Sequence, residues 1–333
     1  MQITQSVNPR RTRLWRDAAV LGLLLLIYRL TARLLSYVFH YVAYAVVSGK
    51  VSLVWKDIIN YFSEHSSLYY STSFQMAANI SVSACAVIIT LLIARLCFRV
   101  SVKSFIKVDK NAAKTGLRWM PSCFVFNMIS STIIGFLTAF LSRAGVTVPT
   151  ADFSIRQPSA LAVIAQFAYI IVLAPLFEEL IYRGLVIKML ASHNKTAAVL
   201  VSALAFGLMH GNIPQAASAF CTGIIYAIIA LKFGTILPTV IIHSLNNLVV
   251  NSNELLSAMN IKNAYGFISA IEICIALFGF FVWFTDYKFM KYDDSPDSEA
   301  KTAAFRGVML NPMIVVYLSI LVISIILGII RAN

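Results

Sequence analysis

Two adjacent glutamates and an arginine interrupt an apolar stretch of the chain, APLFEELIYRG over residues 174–184. An ionisable side chain inside a membrane helix costs at least ~2.5–3.5 kcal/mol, so its presence there suggests a function. Glu179 and Arg183 are four residues apart and would share one helix face, where they can form an ion pair. Glu178 would point about 100° away from Glu179. The spacing therefore predicts a structural Glu179–Arg183 pair and a Glu178 that is free for chemistry.

Two histidines lie in later apolar segments at a depth similar to that of Glu178. With the rise of an α-helix, Glu178, His210 and Asn247 lie roughly 18–20 Å from the cytoplasmic ends of their helices, and His243 roughly 12 Å. Polar residues from three helices at matching depth predict a shared polar cavity. Asn246 and Asn247 both border His243 at helix spacing, so spacing does not choose between the two asparagines.

Such a cavity could support hydrolysis by either of two routes. A carboxylate beside a histidine can take a proton from water, while a second histidine and an asparagine amide donate hydrogen bonds to the developing oxyanion. Alternatively, Glu178, His210 and His243 make a plausible open zinc site, in which the metal activates the water. Neither HExxH nor GxSxG occurs in the sequence, which excludes the standard zincin motif and the nucleophile elbow of serine hydrolases.

The helices that must position these residues follow from composition. Of the 333 residues, 59% are hydrophobic and 12% are charged, against about a quarter charged in a soluble domain. A membrane span needs ~20 mostly apolar residues. We therefore predict an all-α, polytopic transmembrane helical bundle of about eight to nine spans. Nine segments are candidates: 18–46, 76–98, 119–142, 158–190, 196–211, 214–232, 235–252, 265–286 and 311–330.

These segments divide the chain into three parts. We expect an N-terminal transmembrane region of three spans at residues 1–157. A core of four helices that holds the polar residues should follow at 158–252. A C-terminal transmembrane region of two spans should occupy 253–333.

The net charge of +13 is explained by the membrane rather than by nucleic acid. The basic residues cluster between apolar segments, as the positive-inside rule and contact with anionic lipid predict. The segment Arg95–Arg118 carries seven basic residues and one acidic residue, whereas segments 47–75 and 143–157 are near neutral. This asymmetry predicts an N-terminus in the cytoplasm and no nucleic-acid partner.

Three motifs resemble those of a known family, in the same order. Residues Glu178 to Arg183 resemble its EExxxR motif, Phe206 to His210 its FxxxH motif, and His243 to Asn247 its HxxxN motif. The chain is thus similar to the CPBP intramembrane proteases, the type II CAAX prenyl endopeptidases. This family includes the Ras-converting endopeptidase and bacterial bacteriocin-immunity relatives. The resemblance covers about residues 158–252.

The resemblance implies a role for each motif residue. Glu178 with His210 would activate the attacking water, and His243 with Asn247 would stabilise the oxyanion. The residues implied to support the site structurally are Glu179, Arg183 and Phe206. Family members are often labelled metalloproteases, yet a glutamate–histidine mechanism needs no metal, so zinc at Glu178, His210 and His243 stays an alternative.

These observations predict an intramembrane endopeptidase in a bacterial cell membrane, acting on a membrane-associated, CAAX-type peptide or protein. Its partners would be this substrate and membrane lipids. One alternative is a non-enzymatic immunity or scaffold protein that keeps the polar cluster for structure or partner binding. Another is a proton-coupled transporter, although no inverted repeat with broken helices is evident in the sequence. Arg29, Arg33 and Glu272 are ionisable residues of predicted spans with no assigned role.

Overall fold

The described part of the protein is a bundle of α-helices without β-strands, seen in a computed structural model. Residue 158, where we expected the core to begin, lies outside the described residues, which are 9–157, 159–258, 261, 264–292 and 298–333. The helices are α1 Pro9–Ser48, α2 Trp55–Glu64, α3 Ser66–Tyr69, α4 Thr72–Phe98, α5 Lys110–Arg143, α6 Ala160–Ala168, α7 Ala174–Glu179, α8 Val186–Leu190, α9 Lys195–Leu208, α10 Ile213–Phe233, α11 Leu237–Val250, α12 Ser252–Ala258, α13 Ala264–Asp286, α14 Ser298–Met309 and α15 Pro312–Ala332.

Seven helical segments within the described residues are long and apolar enough to cross a membrane. They comprise α1, α4, α5, the continuous stretch from α6 to α8, α10, α13 and α15. The other two apolar segments of the sequence form α9 and α11, with 14 residues each. A helix of that length rises ~21 Å, which is less than the ~30 Å of the hydrocarbon core. All nine predicted segments are thus helical, but two of them are shorter than the predicted spans.

Local sequence explains why α9 stops early. Gly211, three residues after the end of the helix, adopts φ +74°, a left-handed conformation that glycine tolerates. The Asn212 side chain then accepts a hydrogen bond from the Gln215 amide and caps α10, and Pro214 lies in the first turn of that helix. Because one helix ends and the next begins within a few residues, His210 lies in the turn between them.

The basic segments of the chain lie together at one end of the bundle. Lys188 donates a hydrogen bond to Ser104 over 2.5 Å. The Thr235 hydroxyl donates to the Lys107 carbonyl over 2.7 Å. These contacts place the loop after α4, the end of α8 and the end of α10 at the same level.

At the opposite end lies the loop of residues 144–157, which we call the strap. Thr147 exchanges hydrogen bonds with Asn333 after α15, at 2.7 and 3.1 Å. The Arg156 amide donates to the Thr72 hydroxyl at the start of α4, over 2.9 Å. Hydrogen bonds from Ser154 hold the pKa of the Asp152 carboxyl below its ordinary value. The near-neutral strap and the basic loops therefore lie at opposite ends, as the positive-inside pattern requires, while the side that faces the cytoplasm stays a prediction.

Glycines allow the helices to pack backbone against backbone. A Cβ atom on Gly279 of α13 would lie 2.1 Å from the Pro121 carbonyl oxygen of α5. The Gly279 carbonyl also accepts a hydrogen bond from Ser122 at 3.0 Å. A Cβ on Gly22 of α1 would come within 2.6 Å of the Met313 backbone of α15. Small residues at such contacts are the usual basis of close helix packing in membranes.

Candidate active site

The two adjacent glutamates lie on α7, a short α-helical piece between two π-helical segments. The π segments are Tyr169–Leu173 and Leu180–Leu185. Such wide turns are rare inside helices and occur frequently at functional sites. The Ile170 carbonyl of the first segment accepts a hydrogen bond from Asn247 of α11 over 2.9 Å. The irregular helix and α11 are therefore joined directly beside the glutamates.

Glu179 is the buried centre of a three-residue network. Its Oε1 atom accepts a hydrogen bond from Arg183 Nη1 at 3.0 Å and lies 3.1 Å from His243 Nδ1. The side chains of Glu179 and Arg183 are both 0% exposed. Arg183 also donates to the Gly223 carbonyl of α10 at 3.2 Å. Since a carboxylate only accepts hydrogen bonds, the contact with Glu179 requires a proton on Nδ1 of His243. The Nε2 atom of the same ring faces away from Glu179.

Glu178 lies on that other side of His243. Its Oε2 atom is 3.7 Å from His243 Nε2, and its side chain is 15% exposed. His243 therefore separates the two glutamates, with Nδ1 bound to the buried carboxylate and Nε2 facing the partly exposed one.

An aromatic ring packs at the centre of the cluster. The Arg183 guanidinium lies 4.2 Å from the ring centroid of Phe206 and 5.3 Å from that of Tyr226. The rings of His210 and His243 meet the Phe206 ring edge to face, at centroid distances of 5.3 and 5.4 Å. Phe206 thus contacts the buried cation and both histidines, and cation–π attraction adds to the ion pair.

His210 is oriented by the end of its own helix. Its Nδ1 atom lies 2.9 Å from the Phe206 carbonyl. A carbonyl only accepts, so this contact requires the proton on Nδ1. In the neutral ring Nε2 is then an acceptor, the form that can take a proton from water or receive a hydrogen bond from it.

The candidate catalytic residues line one cavity of about 580 Å³. Glu178 comes from α7, His210 from the turn after α9, and His243 and Asn247 from α11. The structure thus brings together all four predicted catalytic side chains, with the fully buried Glu179–Arg183 pair behind them.

The same cavity contains two polar residues that were not predicted as site residues. Glu272 lines it from α13, outside the predicted core. Asn246 lines it beside Asn247 and accepts a hydrogen bond from Asn127 of α5 at 3.0 Å. The spacing of Asn246 from His243 was a usable signal, whereas the position of Glu272 depends on how α13 packs against α5. Nothing in the sequence indicated that the Gly223 carbonyl would accept a hydrogen bond from Arg183.

The zinc alternative gains no support from this arrangement. Among the described residues, no group of three or more His, Cys, Asp or Glu side chains is placed to hold a metal ion. A catalytic zinc needs three protein ligands around a common point at about 2.0–2.2 Å. Glu178 and His243 approach each other, and the Nδ1 atom of His210 is occupied by its contact with the Phe206 carbonyl.

Comparison with known proteins bears on the part of the chain that forms this site. Residues 160–249 match the family model described as type II CAAX prenyl endopeptidase Rce1-like. The match confirms the family resemblance of the three motifs and spans most of the predicted core. It covers about a quarter of the chain, and the helices from α1 to α5 lie outside it. No curated protein and no solved structure matches the chain.

Proposed function

We propose that this protein is an intramembrane endopeptidase that hydrolyses a peptide bond near the C-terminus of a membrane-associated, CAAX-type substrate. The observation that carries the proposal is the separation of the adjacent glutamates. Glu179 is buried in an ion pair, whereas Glu178 lines a cavity together with His210, His243 and Asn247. This cavity is formed largely by the segment that matches the endopeptidase family model.

The first chemical step is the attack of water on the scissile carbonyl carbon. Glu178 and the Nε2 atom of His210 both offer acceptors to a water molecule in the cavity. Glu178 takes the proton while the water oxygen bonds to the carbonyl carbon. When the tetrahedral intermediate collapses, the C–N bond breaks and the proton passes to the departing amine. The products are a carboxylic acid and an amine, so no other reactant is needed.

The second requirement is stabilisation of the negative oxygen in the tetrahedral intermediate. Glu179 accepts from His243 Nδ1, which leaves Nε2 on the side of Glu178, where it donates to the oxyanion when both ring nitrogens carry a proton. Asn247 uses one amide hydrogen on the Ile170 carbonyl and has a second one to donate. Preorganised donors of this kind contribute about 10²–10³-fold each to kcat. In this mechanism Glu179 is a positioning residue, because it acts through His243.

The decisive experiment is cleavage of a quenched fluorescent, prenylated CAAX peptide by the purified protein. Glu178→Gln keeps the size of the side chain and removes the base, so we expect at least a 10²-fold loss of kcat. Glu64→Gln, on the exposed face of α2, is the matched control and should cleave like the wild type. Under the glutamate–histidine route, activity also survives treatment with a chelator.

Two results would contradict the proposal. Equal cleavage by the wild type and Glu178→Gln would remove Glu178 from the chemistry. Absence of cleavage by a well-folded wild-type protein, across prenylated and unprenylated peptides, would favour the non-enzymatic immunity or scaffold alternative.

A further inference from the structure

A second cavity, of about 520 Å³, lies between α1 and the helices α2 and α3, apart from the catalytic cavity. Arg33 of α1 lines it, together with the aromatic residues Trp55 and Tyr69. Hydroxyl groups supply further hydrogen-bond donors, and they belong to Ser36, Tyr37, Ser63, Ser66 and Tyr70. A permanently charged cation surrounded by hydroxyl donors is a site for an anion.

The depth of Arg33 follows from the packing of α1 against α15. Helix α15 has 21 residues, which is about the thickness of the hydrocarbon core. Gly22 of α1 packs against Met313 near the beginning of α15. Arg33 lies 11 residues beyond Gly22, roughly 17 Å further along α1. Its Cα atom is therefore just past the middle of a ~30 Å hydrocarbon core, and its long side chain can extend towards the headgroups on the side of α2 and α3.

Arg33 has no anionic partner among the described residues. None of the ion pairs there includes it. Its guanidinium lies 5.4 Å from the ring centroid of Tyr37, and its side chain is exposed at the bundle surface. A guanidinium does not lose its charge, and a charged side chain at this depth is costly unless it extends towards an anion.

Beyond Arg33, the cavity is bordered by α2 and α3, which carry residue types that favour a membrane interface. Ile58 and Phe62 bury the inner face of α2 against Tyr44 of α1. Trp55 and Tyr69 belong to the residue types that favour the level of lipid headgroups. On either side of Arg33 along α1, Leu30 and Leu34 are 65% and 64% exposed, a surface suited to acyl chains. The site therefore has a cationic part lined by hydrogen-bond donors beside an exposed apolar surface.

We infer that this cavity binds the phosphate group of a membrane phospholipid, with the Arg33 guanidinium as its principal ligand. Guanidinium and phosphate form bidentate, charge-assisted hydrogen bonds, which a lysine ammonium cannot reproduce. The acyl chains lie along α1 beside Leu30 and Leu34. The inference is independent of the proposed catalytic function, since the site shares no lining residue with the catalytic cavity.

The test is titration of the purified, delipidated full chain with a fluorescent phosphatidylglycerol in neutral detergent. We expect Arg33→Gln to weaken binding about tenfold or more, because the variant loses the charge-assisted hydrogen bonds to the phosphate. Arg33→Lys keeps the charge and should bind with intermediate affinity. Arg143→Gln removes an exposed arginine at the end of α5 and is the matched control, with affinity like the wild type.

The source of the anion is tested in the same assay. Competition by unlabelled phosphatidylglycerol, with none by diacylglycerol or by inorganic phosphate, supports the phospholipid. Competition by inorganic phosphate alone would indicate a soluble anion instead and would overturn the inference. Equal affinity of Arg33→Gln, Arg33→Lys and the wild type would overturn it as well. If Arg33→Gln does not fold, the comparison of Arg33→Lys with the wild type decides.

Discussion

At the scale of single residues, neighbours in sequence have opposite environments. Glu179 is enclosed with Arg183 and His243, while Glu178 reaches a cavity. The ion pair follows from the four-residue spacing of its partners. The burial of that pair depends on Phe206 and Gly223 from other helices. The catalytic roles of Glu178, His210, His243 and Asn247 stay predictions.

These environments predict different consequences for the same chemical change. Glu179→Gln leaves the Arg183 charge buried without its carboxylate, which costs about 3–5 kcal/mol, so the apparent Tm in detergent should fall strongly. Glu178→Gln removes a partly exposed carboxylate and should change the Tm little. Thermal unfolding of both purified variants measures this contrast. A Tm that falls equally in the two would contradict it.

Glu272 predicts a preference among substrates. It lines the catalytic cavity and has no cationic partner among the described ion pairs. A peptide with lysine near the cleaved bond should therefore be favoured about fivefold over its glutamine analogue, which corresponds to ~1 kcal/mol for a partly solvated ion pair. The ratio of kcat/KM for the two peptides should approach one in Glu272→Gln. An unchanged ratio in that variant would contradict the assignment.

At the scale of helices, two features of the core could not be predicted from hydropathy alone. Apolar composition predicted nine helical segments, but not that α9 and α11 stop after 14 residues. The end of α9 depends on the turn at Gly211 and on the Asn212 cap of the following helix. The π segments around α7 likewise depend on tertiary contacts, such as the one between Asn247 and the Ile170 carbonyl. Hydropathy does not encode such contacts.

The contact between α5 and α13 gives a prediction with an internal control. Gly279→Ala puts a Cβ atom 2.1 Å from the Pro121 carbonyl oxygen, so the two helices must separate. We expect a clear loss of thermal stability, with overpacking costs of about 1–3 kcal/mol or more. Gly266→Ala on the same helix meets nothing within 4 Å and should be neutral or slightly stabilising. Equal Tm values for the two variants would contradict the close contact.

At the scale of the whole molecule, the distribution of charge predicts orientation. The basic loop after α4 and the near-neutral strap lie at opposite ends of the bundle. In a variant without its five native cysteines, Thr150→Cys should react with an impermeant maleimide on intact cells. Lys103→Cys should react only after permeabilisation, because basic loops stay in the cytoplasm. The reverse pattern would contradict the predicted orientation.

The shortness of α9 and α11 has a consequence for the supply of a reactant. Every hydrolysis consumes a water molecule, which the surrounding hydrocarbon does not provide. Helices of ~21 Å that begin at the basic end of the bundle stop about 9 Å before the other side of a ~30 Å hydrocarbon core. Their ends carry His210 and Asn247 into the catalytic cavity. In the proposed reaction, the same early endings that deliver these side chains shorten the distance from bulk solvent to the bond that is hydrolysed.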